Sequence, residues 1–155
     1  MALSYGATQL DIRFDIAAAP PGINPFSARG LTGTLTPIAM AAGDDKLART
    51  VNGTLVDLSA PQMRKYRLEV SGDDQAPPAL DGLWVGMAVS VDCHVELAYL
   101  TAGGSPSRTP VAGSSRTEGD YTYYRPTFQM LVVEMQTARQ EWAAAVSWTL
   151  ALEEI

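Results

Sequence analysis

Cysteine and histidine each occur once in the 155 residues, side by side as Cys93 and His94. A single cysteine leaves no internal disulfide, so nothing implies an oxidising compartment. A single histidine leaves zinc-type sites short of ligands, and any Ser-His-Asp triad would have to pass through His94. Long apolar runs are missing too; none approaches the ~20 residues that span a membrane. The opening MALSYGATQLDIRFDI has neither a basic start nor an apolar stretch, so the expectation is no signal peptide and a soluble chain made in the cytoplasm. Basic residues are outnumbered 11 to 17, for a formal charge of −6. That field repels phosphate and argues against direct nucleic-acid binding. No glycine loop precedes a helix to cradle phosphate, and no Gly-x-Ser-x-Gly elbow occurs. The aspartate pairs Asp44-Asp45 and Asp73-Asp74 each follow glycine, as turn formers do, whereas glycosidase carboxylates must oppose each other across a cleft. The expectation is a protein that is not an enzyme and uses no cofactor or metal.

What is present is a folded β protein. Hydrophobic residues make up 46% and charged residues 18%, a globular balance in a chain the length of one domain, 1–155. TQLDIRFDI alternates Leu10, Ile12, Phe14 and Ile16 with Asp11, Arg13 and Asp15, the period of two that marks a half-buried strand. Proline pairs and Asn-Pro in AAAPPGINPF end it. In LTGTLTPI the leucines Leu31 and Leu35 oppose Thr32, Thr34 and Thr36. Asn52-Gly53 stands between two β-prone runs, a strong hairpin signal. KYRLEVS sends Tyr66, Leu68 and Val70 inward. TYYRPTFQMLVVEM alternates poorly, which suits a strand buried on both faces or one containing a bulge. EWAAAVSWTLALEEI has the alanines of a helix, yet Trp142, Val146, Trp148, Leu150 and Leu152 share one parity, so it reads as a strand. Strands separated by turn clusters give an all-β fold, a single-domain antiparallel β-sandwich or β-barrel. Residues 101–118, TAGGSPSRTPVAGSSRTE, form its one long Gly/Ser/Pro-rich surface loop, expected to be functional or mobile.

The Cys-His stretch itself, MAVSVDCHVELAY at 87–99, alternates apolar with polar. Read as one strand, it turns Cys93 inward with the valines, where a thiol is a small core hydrophobe. His94 then points outward between Asp92 and Glu96, solvated, with flanking carboxylates that would raise its pKa. Asp92-x-His94-x-Glu96 could line up three metal ligands on one face, but lacks a second nitrogen or sulfur ligand. A more promising feature is DYTYYRP, which sets Tyr121, Tyr123 and Tyr124 beside Arg125 directly after the long loop. Tyr and Arg dominate interface hot spots. The same rings could cap the core or stack on sugars.

SARGLTGTLTPI, the long run RTVNGTLVDLSAPQMRKYRLEVSGDDQAPPALDGLWVGMAVSVDCHVELAY, SSRTEGDYTYYRPTFQML and the ending SWTLALEEI together resemble small structural (virion) proteins of tailed bacteriophages. The likeness runs from Ser27 to the end and is one of texture, with no catalytic signature to carry over. It implies a non-enzymatic virion component, foremost of the tail or baseplate, that works through protein–protein contacts. Its partners would be copies of itself and neighbouring virion proteins, with Tyr121, Tyr123, Tyr124 and Arg125 as the expected interface. The alternatives are a capsid decoration (cement) protein and, from a different class, a carbohydrate-binding module.

Overall fold

A computed structural model describes residues 14–15, 32–39, 47–58, 61–74 and 81–155. Most of the expected first strand (Leu10–Ile16), the proline-rich break after it and the Asp44-Asp45 turn lie outside the described residues. In chain order the strands are β1 (Phe14–Asp15), β2 (Thr32–Ala39), β3 (Leu47–Arg49), β4 (Leu55–Asp57), β5 (Arg64–Asp74), β6 (Ala88–Asp92), β7 (Leu97–Leu100), β8 (Arg116–Glu118), β9 (Tyr121–Tyr124), β10 (Thr127–Gln140) and β11 (Ala145–Glu154). Among the described residues the only helical piece is one 3₁₀ turn, Pro61–Met63. The main sheet is antiparallel in the order β1-β6-β10-β11-β5-β2, and its five longer strands curl into a half-barrel. A hairpin, β3-β4, and a three-stranded sheet, β7-β9-β8, complete an all-β fold.

The curl follows from where the large side chains point. Leu68 and Val70 of β5, Val89 and Val91 of β6, Phe128, Met130 and Val132 of β10, and Trp148, Leu150 and Leu152 of β11 all enter one core. Fully burying each such side chain is worth roughly 1.5–3 kcal/mol, so a one-residue register slip in any of these strands is costly. β10 stays in phase because a bulge falls between Val132 and Glu134. The extra residue resets the alternation, and Met135 packs on the core again. Gly72 pairs with Trp148, and a Cβ at Gly72 would meet the indole at 3.0 Å. The missing side chain therefore leaves room for the ring to lie over its neighbour.

The edge strand β2 carries Pro37 opposite Tyr66. Tyr66 spends its N–H on Oε2 of Glu154, at 3.0 Å, on the far side of β5. Pro37 thus falls in a pair where its missing N–H faces the open edge, so no ladder bond is lost and that edge is blunted. The Asn52-Gly53 hairpin forms as its sequence suggests: Gly53 takes φ +80° and donates to the Thr50 carbonyl at 2.8 Å.

Several expectations give way. Asp73-Asp74, read as turn formers, are instead the last two residues of β5, paired with Ser147 and Val146. Trp142 does not share the inward face of β11; it sits fully exposed in the turn between β10 and β11. That four-residue turn needs Ala144 at φ +46°, which breaks the parity counted along the sequence. The stretch 87–99 is two strands in two sheets. Asp92 pairs with Thr127 and Leu97 with Tyr124, so residues 93–96 oppose only residues 125–126. This wide bulge turns the ribbon from the half-barrel into the small sheet. Finally, the long loop is not wholly irregular. Its last three residues are β8, Pro110 bridges Pro126, and the Thr109 carbonyl and Val111 N–H bond Thr127 and Arg125 at 2.8 Å each.

Candidate functional site

The wide bulge decides what Cys93 and His94 can do. Cys93 is fully buried, with its N–H donating to the Pro126 carbonyl at 2.9 Å. Desolvation pushes its thiol up to about 11, with the backbone amides of Val95 and His94 pulling it only partly back. A thiol held protonated in a core is a poor nucleophile. His94 departs from the sequence expectation. Its ring turns in toward β2 and occupies the space that a side chain on Gly33 would fill. Nδ1 is buried without a hydrogen-bond partner. Its pKa is lowered, first by desolvation and then by the charge of Arg125. The carboxylates expected to raise it are engaged elsewhere: Asp92 accepts from the Thr127 hydroxyl at 2.9 Å, and Glu96 accepts from Arg116 at 2.8 Å. The outward ladder Asp92-His94-Glu96 is therefore not assembled. No cluster of three metal-ligating side chains occurs among the described residues.

The tyrosine cluster is divided by strand alternation. Tyr121 is half exposed at 52%, and Tyr123 is partly buried beneath the Arg116 guanidinium, 4.7 Å from the ring centroid. Tyr124 points the other way and is buried. Its hydroxyl accepts from the Ser107 N–H at 3.2 Å, and its ring meets Tyr99 edge-on at 5.8 Å. Arg125 is partly buried, and its backbone is knitted to Ser114 and Val111. Of the four, Tyr121, Tyr123 and Arg125 have surface to offer, while Tyr124 holds the loop to the ribbon.

Arg108 makes the second tie. Its guanidinium grips Glu154 by two bonds, 2.6 and 3.0 Å, donates to the Arg64 carbonyl at 3.0 Å, and lies 5.4 Å over the Tyr66 ring. Fork-to-fork geometry of this kind is both strong and directional. Between loop and sheet runs an open groove of about 560 Å³ lined by Pro106, Arg108, Pro110, Gln129 and Glu154. A smaller recess of about 280 Å³ lies on the outer sheet face, rimmed by Thr32, Thr34, Ser71, Thr149, Glu69 and Glu134.

Sequence reasoning missed the most exposed apolar surface. Leu47, Val51, Leu55, Val56 and Leu58 on and beside the β3-β4 hairpin are all exposed, Val51 completely. Trp142 at the β10-β11 turn and Trp84 with Val85 ahead of β6 are exposed as well. A signal was present: TLVDL places apolar residues on both parities of a hairpin too short to bury two faces. Comparison of the chain with protein-family models, curated proteins and solved structures finds no match.

Proposed function

We propose that this chain is a non-enzymatic structural component of a tailed-phage virion, placed in the tail or baseplate, and that it works by packing against copies of itself and neighbouring virion proteins. The observation that carries the reading is the exposed hairpin 47–58. Five large apolar side chains in a two-stranded ribbon have no counterpart in a monomer's need for solubility, and an isolated hairpin is marginal in water. Such a ribbon gains its stability by docking. Trp142 at a hairpin tip and Tyr121 beside the Arg116–Tyr123 stack add the residue types that anchor interfaces. The resemblance of residues 27–155 to small phage structural proteins supplies the setting, and the net charge of −6 suits a surface that must not grip the genome.

The test is antibody labelling of virions from the host that carries this reading frame. Label on the tail or its tip is the expected result. Label over the capsid would replace it with the decoration-protein reading, and unlabelled, complete particles would refute a virion role.

A further inference from the structure

The His94–Gly33 contact has no part in the assembly reading, yet its construction is specific. Gly33 lies on the inner face of β2, in phase with Leu35, which packs on the core. On that face the His94 ring takes the place of a side chain: a Cβ at Gly33 would overlap Cε1 and Nε2 and stand 3.1 Å from Nδ1. β2 and β6 are the far ends of the five-strand curl, with no strand pairing between them among the described residues. His94, carried on the wide bulge just past β6, reaches across that gap to Gly33.

We propose that this contact is an acid-sensitive latch: the neutral imidazole holds edge strand β2 against the open side of the half-barrel, and protonation in the mildly acidic range releases it. A second proton would place a cation where Nδ1 has no acceptor. The charged groups around it do not help. Arg125, from the junction of β9 and β10, is itself a cation and opposes a second charge. β2, TGTLTPIA, carries no titratable side chain. Behind Gly33, the paired residue on β5 is Val70, and Arg67 and Glu69 bond each other beside it. On the histidine's own segment Asp92 is held by Thr127 and Glu96 by Arg116, while Cys93 is neutral in the core. Asp15 of β1 pairs with Ser90, away from the bulge.

Burial and Arg125 keep the folded ring neutral to a lower pH than in the unfolded chain. As pH falls, unfolded or locally opened states therefore take the proton first. The neutral ring's contribution is whole above about pH 6.5 and drains away as pH falls toward the depressed folded value. Each unit of depression is worth about tenfold in the latch equilibrium.

Two measurements on the full chain decide it. As the chain has one histidine, its Cε1–H resonance reports this ring alone. It should titrate below the ordinary value of about 6.5, and titration at or above that value would overturn the proposal. Amide exchange, corrected for intrinsic rates, should show β2 losing protection between about pH 7.5 and about pH 5, by about tenfold for each unit of depression that the resonance records, while β10 and β11 hold. In His94→Gln that pH response should vanish. An equal acid loss in His94→Gln, or a β2 that stays protected in the parent chain, would overturn it. Gly33→Ala, which forces the ring out, should open β2 at neutral pH without acid; a closed β2 in that variant would likewise count against the latch.

Discussion

Cys93 and Tyr124 show how burial assigns roles to residues whose chemistry suggests others. The Cys93 thiol is fully buried and pushed up to about 11 by desolvation, so it is protonated at neutral pH. A bulky thiol reagent should leave the native chain unmodified and label it at once on denaturation; rapid stoichiometric labelling of folded protein would contradict its placement. Tyr124 belongs to the same logic. Tyr124→Phe removes the bond from Ser107 and should cost about 1 kcal/mol, whereas Tyr124→Ala should cost about 3–5 kcal/mol by leaving a cavity. Chemical denaturation of the two variants checks the gap, and equal losses would mean that the ring does not pack. Alternation alone was enough to place Cys93 inward, but the tyrosines were grouped by residue type as one interface, and only the structure separates buried Tyr124 from exposed Tyr121. Alternation could not place His94, because parity assumes an unbroken strand and the chain inserts a wide bulge at that residue. It also could not reveal that Asp92 and Glu96 have partners distant in sequence, Thr127 and Arg116.

At the scale of elements, the long loop and the sheet it crosses depend on one another. Arg108 is the link, since Glu154 accepts from both Arg108 and the Tyr66 backbone. Arg108→Ala would leave that carboxylate, only 10% exposed, with the amide alone. The expected cost is about 2 kcal/mol, with protease cleavage moving into residues 101–118. Cleavage there in the parent chain at the same rate would show that the tie does not hold. Gly72→Ala tests the sheet itself: the added methyl meets the Trp148 indole at 3.0 Å and should destabilise by about 1–3 kcal/mol. A neutral or stabilising result would mean the ring shifts freely. The strands with clean alternation, β5 and β11, and the Asn52-Gly53 hairpin could be read from sequence because their signals are local. The loop's order could not, because Pro110–Pro126 pairing and the Arg108–Glu154 grip are long-range, and composition reports only that 101–118 has little apolar surface of its own.

At the scale of the whole molecule, the described residues form a half-barrel with two small sheets, and they expose an apolar hairpin and a tryptophan-tipped turn. The edges are guarded unevenly: Pro37 blunts β2, and His94 braces it from inside. Among the described residues the hairpin shows no such guard, and it is the docking element of the proposed assembly. Truncating anchors there should weaken association by about 2 kcal/mol or more each, while distant surface changes such as Gln136→Ala should do almost nothing. The most direct measurement is native mass spectrometry of the parent chain beside Leu47→Ser/Leu55→Ser, across a concentration series and with circular dichroism to show that both are folded. The expected result is a discrete symmetric oligomer for the parent and a monomer for the variant. A parent that stays monomeric throughout, or a folded variant that assembles just as well, would contradict the claim that this hairpin builds the assembly.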